Sequence, residues 1–186
     1  DIIKISESLY AGGIRIMEIT MNSMKPLEAI EEIAEKFGDE MIIGAGTVLD
    51  PETARLAILS GAKFILSPTL NIKTIRMAKR YGVVCIPGAY TPTEILSAYS
   101  NGGDIIKVFP ATSPSYLKAI SGPLPQIPLL PTGGINLDNI RDFQKAGAVG
   151  FGLGSALVDS KMEITDESFI ALTKKAKLYV DAVSNS

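Results

Sequence analysis

Histidine is missing from this chain of 186 residues. That removes Ser-His-Asp and Cys-His nucleophilic catalysis, and it argues against a transition-metal site. Acid–base chemistry near neutral pH falls to Glu, Asp, Lys, Tyr or water. Cysteine is nearly missing too. Cys85 is the single thiol, so no internal disulfide can form, and a reducing cytoplasm is the expected compartment. Its place in an apolar run marks it as core filler. No apolar run reaches the roughly 18 residues of a spanning helix, and none reads as a signal peptide. The charge balance is only mildly acidic, with 18 Lys and Arg against 20 Asp and Glu. The charges are dispersed, so neither a nucleic-acid footprint nor a membrane-surface patch is expected.

What is present is a repeat. Short apolar runs fall at 14–20, 41–45, 64–67, 83–86, 105–109, 129–132 and 149–153. Amphipathic segments lie between and after them, at 26–37, 51–60, 72–81, 92–100, 115–121, 137–146 and 166–183. Gly61, Gly82, Gly102 and Gly147 follow helix ends, where a left-handed C-cap suits glycine. Alternating strands and helices predict an α/β fold with a parallel sheet. Seven such units predict a (β/α)8 TIM barrel, as one domain over 1–186, with a doubly wound open sheet as the rival. The opening residues Ile2 to Tyr10 read as a helix already under way, ended by Ala11-Gly12-Gly13. The first strand is therefore expected to lie outside this sequence.

The most informative residue is Lys107. It interrupts the apolar run Asp104-Ile105-Ile106-Lys107-Val108-Phe109-Pro110, which otherwise reads as a buried strand. A buried, unpartnered ammonium is costly and tends to become a neutral amine. A neutral amine can attack a carbonyl carbon and form a Schiff base. The plain alternative is a lysine that snorkels to solvent from a strand end.

In a barrel the active site lies at the C-terminal ends of the strands. Period-two alternation puts Glu18 on one face with Ile14, Ile16 and Thr20. Glu18, Thr47, Ser67, Lys107 and Thr132 then converge on one mouth. Taken singly, the threonines and Ser67 also fit ordinary strand ends, and Glu18 fits a strand-end ion pair. Two glycine-rich turns follow the last two strands, at Thr132-Gly133-Gly134-Ile135 and Gly152-Leu153-Gly154-Ser155. Turns in these places form the common phosphate site of such barrels, and tight turns without a ligand are the alternative.

These stretches resemble the 2-keto-3-deoxy-6-phosphogluconate (KDPG) aldolase family, which overlaps with 4-hydroxy-2-oxoglutarate (KHG) aldolase. The resemblance runs from Ala11 to about Val158. It rests on Gly12-Gly13-Ile14 through Glu18-Ile19-Thr20, Gly44-Ala45-Gly46-Thr47-Val48, Ser67-Pro68, Pro87-Gly88, Thr91-Pro92-Thr93-Glu94, Lys107-Val108-Phe109-Pro110 and Pro131-Thr132-Gly133-Gly134-Ile135. It implies that Lys107 is the Schiff-base lysine and Glu18 the general acid/base. It implies substrate contacts from Thr47 and Thr132, with Asn22, Ser67, Pro68 and Phe109 around the same substrate. It implies that Gly133, Gly134, Gly154 and Ser155 hold the phosphate. Some family members carry Arg where this chain has Asn22, a position that also resembles the related phosphogalactonate aldolases.

The implied reaction is cleavage of a 2-keto-3-deoxy-6-phospho sugar acid to pyruvate and glyceraldehyde 3-phosphate. No metal or cofactor is called for, because an iminium ion serves as the electron sink. The implied assembly is a cytoplasmic homotrimer whose partners are the phosphorylated keto acid and pyruvate. The rival readings are a phosphogalactonate or hydroxy-oxoglutarate aldolase, a phosphate-binding barrel isomerase or synthase, and a non-catalytic phospho-ligand-binding barrel.

Overall fold

Proline and small polar residues start most helices of this computed structural model, which describes residues 1–184. Helix α1 spans Ile2–Ala11 and α2 Pro26–Phe37. Helix α3 (Pro51–Leu59) is capped by Asp50, whose carboxylate accepts the Thr53 N–H at 2.7 Å. Helix α4 (Ile72–Arg80) is capped by Asn71. Helix α5 (Pro92–Ser100) has a full capping box between Thr91 and Glu94. Helix α6 (Pro114–Ser121) is capped by Ser113, and α7 (Ile140–Lys145) and α8 (Asp166–Ser184) follow. The four predicted C-terminal glycines, Gly61, Gly82, Gly102 and Gly147, all have positive φ.

Every strand pair is parallel. Strands β1 (Ile16–Thr20), β2 (Ile42–Gly46), β3 (Phe64–Leu66) and β4 (Val84–Ile86) pair in that order. Strands β5 (Gly88–Ala89), β6 (Ile106–Val108) and β7 (Leu129–Pro131) form a second set. Pro87 joins the two sets, and its carbonyl accepts the Lys107 N–H at 3.0 Å. Isolated bridges from Leu129 to Ala148 and from Thr132 to Gly152 carry the arc onward. Sequential parallel pairing, rather than a reversal of strand order, is the barrel arrangement and not the doubly wound one. Among the described residues β1 pairs only with β2. The helix layer returns on itself, because α8 packs on α1. Thr173 Oγ1 donates to the Ser8 carbonyl at 3.1 Å, and a Cβ on Gly12 would lie 2.8 Å from the Thr173 carbonyl oxygen.

Burial follows the two faces of the strands. Ile19, Ile43, Ile65, Cys85, Ile106, Val108 and Leu129 face the helices and join one core with Ile30, Ile33, Ile75 and Ile140. Phe64, Leu66 and Ile86 point to the barrel interior as a second cluster. Cys85 is buried, and its thiol is pushed up to about 12 by burial and by the Asp104 carboxylate. It is core, as its apolar run indicates.

Two expected elements differ. The run expected as a strand at 149–153 makes a single bridge, at Gly152, with another just before it at Ala148, and Gly150 and Gly152 dilute its side-chain packing. The helix expected at 137–146 begins only at Ile140. The preceding residues are held in a turn, where Asn136 Oδ1 accepts the Asp138 N–H and Asn139 Oδ1 accepts the Asn136 N–H, each at 2.9 Å.

Candidate active site

Lys107 lies at the centre of β6 and is only 6% exposed, so its side chain does not snorkel to water. Its register partners are Gly88 on β5 and Leu130 on β7. Burial holds the amine below its ordinary pKa, and the Glu18 charge opposes that shift less strongly. The Lys107 Nζ sits 4.7 Å from the centroid of the Phe109 ring.

Glu18 lies on β1 opposite Gly44 of β2. Burial raises its carboxyl pKa, and the Lys107 charge works in the other direction as the smaller effect. The two groups sense each other's charge, yet the ion pairs found among the described residues include neither. The strand-end ion pair is thus not what holds Glu18. Three buried side-chain oxygens of the described residues have no hydrogen-bond partner: Glu18 Oε2, Thr132 Oγ1 and Thr74 Oγ1. The first two are predicted site residues, and unsatisfied polar atoms in a barrel mouth are what a polar ligand would satisfy. A buried amine, a neighbouring carboxyl and a free hydroxyl together can attack a ketone and move protons beside the attack point.

The remaining predicted residues fall around this pair in different ways. Phe109, 38% exposed, connects the amine to the first glycine turn, since a Cβ on Gly133 would meet its ring at 3.3 Å. Gly133 and Gly134 both have positive φ, 86° and 77°, which side-chain-bearing residues rarely adopt. The Thr132–Gly152 bridge brings the second turn alongside, and Gly154 and Ser155 are exposed there. Pro68 packs close to Lys107's neighbour, Gly88, where a Cβ would lie 2.7 Å from the Ser67 carbonyl oxygen. The Ser67 hydroxyl is already engaged, donating to the Thr69 carbonyl at 2.8 Å. Ser67 therefore shapes its turn with its proton, while its oxygen keeps its acceptor lone pairs.

Thr47 has φ 55°, a costly conformation for a β-branched residue. The strain turns the chain out of β2 at the mouth. Thr47 and Asn22 line a cavity of about 370 Å³ with Met21, Leu27, Asp50 and Thr53. Neither Lys107 nor Glu18 lines it, so this cavity is separate from the reacting pair.

Comparison with known proteins agrees with this fold. Residues 1–174 match the KDPG and KHG aldolase family. The chain is 40% identical over 146 residues to the 2-dehydro-3-deoxy-phosphogluconate aldolase of Pseudomonas aeruginosa, a match spanning 77% of this chain and 66% of that protein. A solved native KDPGal structure superposes with TM-score 0.90 at 32% identity, over 98% of this chain and 89% of the other. KDPG aldolase from Legionella pneumophila, solved with pyruvate captured at low pH as a covalent carbinolamine intermediate, superposes with TM-score 0.82 at 29% identity, over 95% and 86%. With its (β/α)8-type fold and a buried lysine beside a carboxyl, this chain belongs to the KDPG and KHG aldolase family.

Proposed function

We propose that this chain is a class I aldolase that reversibly cleaves a 2-keto-3-deoxy-6-phospho sugar acid to pyruvate and glyceraldehyde 3-phosphate. The observation that carries the reading is the buried amine of Lys107 inside the barrel, held below its ordinary pKa by that burial, with an unpartnered Glu18 oxygen sharing its electrostatic surroundings. The captured pyruvate carbinolamine of the Legionella relative supports the same chemistry.

The neutral Lys107 nitrogen attacks the C2 ketone carbon and gives a carbinolamine. Loss of water leaves a positively charged iminium. Glu18 removes the proton of the C4 hydroxyl, that oxygen's electron pair forms the aldehyde, and the C3–C4 bond breaks. The bonding pair moves onto C3 and neutralises the iminium as an enamine. Glyceraldehyde 3-phosphate departs. Glu18 returns its proton to C3, and water hydrolyses the imine to pyruvate and free Lys107. A carboxyl whose pKa is raised toward neutrality suits both transfers. The Gly133–Gly134 and Gly154–Ser155 turns would hold the phosphate, fixing the substrate's far end and orienting the reacting carbons.

The substrate's phosphate distinguishes this reading from a hydroxy-oxoglutarate aldolase, and the two glycine turns favour it. Asn22 keeps the galactonate epimer as the alternative sugar acid. A homotrimer fits the exposed apolar residues Met24, Leu49, Leu56 and Leu59, of which Leu49 and Leu56 line the cavity at Thr47. The cytoplasm fits a charged sugar phosphate. No helix among the described residues is long and apolar enough to cross a membrane. The test is turnover with each phospho epimer and with hydroxy-oxoglutarate, monitored by pyruvate release. The reading requires higher kcat/KM for a phosphorylated substrate and loss of turnover by several orders of magnitude in Lys107→Ala. Equal turnover by the variant would overturn it.

A further inference from the structure

Glycine occupies two alternate positions of β2, Gly44 and Gly46, on the face that Glu18 shares. Neither has a positive φ, so backbone freedom does not explain them. A glycine inside a strand costs roughly 0.5–1 kcal/mol relative to alanine. Something must offset that cost. At Gly44 it is the Phe64 ring, whose Cδ1 would lie 2.5 Å from an added Cβ. At Gly46 it is the Glu18 carboxylate. A Cβ there would overlap Oε2 and stand 2.6 Å from Cδ and 3.2 Å from Oε1. Nothing else is among its three nearest obstacles.

We infer that Gly46 is the positioning residue for Glu18: its missing side chain forms the cradle in which the carboxylate lies along β2. The inference rests on the acid/base role proposed above. The Glu18 carboxylate leans two residues along the strands, from its partner Gly44 toward Gly46, which pairs with Thr20. There Oε2 is out of solvent and makes no hydrogen bond. No hydrogen bond to that oxygen sets its place, so the shape of the β2 backbone does.

Alanine at position 46 is compatible with the backbone and collides only with the end of a flexible side chain. Relief to an ordinary contact of about 3.4 Å moves the carboxylate by roughly 1 Å, a displacement that can cost about a hundredfold in a positioned reaction. The amine on β6 is untouched. Proton transfer and imine formation should therefore separate.

The experiment compares wild type, Gly46→Ala, Glu18→Ala and the double variant. Exchange of pyruvate methyl protons in D2O, followed by NMR, reads the proton transfer. Here Glu18 takes a methyl proton from the imine to give the enamine and returns a deuteron. Borohydride trapping of pyruvate reads the imine alone. Gly46→Ala is expected to slow exchange about a hundredfold and leave trapping within a few-fold. In the Glu18→Ala background, where the obstruction is gone, Gly46→Ala should change neither. Unchanged exchange in Gly46→Ala, parallel loss of exchange and trapping, or an equal effect in the Glu18→Ala background would each overturn the inference. If Gly46→Ala fails to fold, the double variant decides. Recovery of folding supports the contact with Glu18, and failure overturns it. A wild type that traps no pyruvate would instead refute the aldolase reading itself.

Discussion

Replacing Lys107 by Met should destroy activity and raise stability. The side chains have similar length, so the change removes mainly the charge and its hydrogen-bonding capacity. Lys107 is only 6% exposed, and among the described residues no hydrogen bond or ion pair engages its nitrogen, which lies 4.7 Å from the centre of the Phe109 ring. A buried polar group without partners costs about 1–3 kcal/mol in mutational series. Lys107 also attracts Glu18, but for both groups burial outweighs that attraction. The net effect of Met is therefore stabilising. For a chain of this length each kcal/mol raises Tm by about 2–4 °C, so a gain of roughly 2–12 °C is expected. The pH dependence has a definite sign. Lys107 titrates below its ordinary value of 10.5 in the folded state, so between those values the unfolded chain binds more protons. Wild-type stability then rises with pH, and the advantage of Lys107→Met shrinks as pH approaches 10.5. Thermal melts by circular dichroism across that range read both effects. A Met variant less stable than wild type at every pH, with a constant gap, would show that the amine is well satisfied in the fold and refute the reasoning.

Glu18→Gln should keep pyruvate trapping near the wild-type level while lowering turnover by about 10²–10⁴, measured as pyruvate release from the phospho sugar acid. Unchanged turnover would remove Glu18 from the mechanism. Ser155→Ala should raise KM for the phosphorylated substrate and weaken competition by inorganic phosphate, with pyruvate trapping unaltered. An unchanged KM would separate the second glycine turn from the phosphate.

The fold was legible because several levels of the sequence agree. Pro26 and Phe37 bound α2 as the apolar stripe predicts, and Pro92 and Ser100 bound α5 under the Thr91–Glu94 box. Lys107 stood out because a cation in an apolar strand contradicts its surroundings, and such local contradictions mark function. Elements set by side-chain turns were less visible. Asn136 and Asn139 delay α7 through hydrogen bonds that a periodicity argument cannot see. The short β5 after Pro87 was read only as a Pro-Gly motif, since two residues carry no alternation. The left-handed Thr47 has no sequence signal, and Ser67's bond to Thr69 is fixed by a turn. Gly46 is a harder case. Its role depends on which side chain of another strand passes over it, and a register between strands is not written in either strand alone.

The central claim is that a neutral Lys107 amine captures a ketone inside the barrel. Incubation with pyruvate and borohydride, followed by peptide mass spectrometry, tests it most directly. The account predicts the mass of one reduced pyruvate on the peptide carrying Lys107 and on no other lysine. A label on a different lysine, or no label at all, would contradict it.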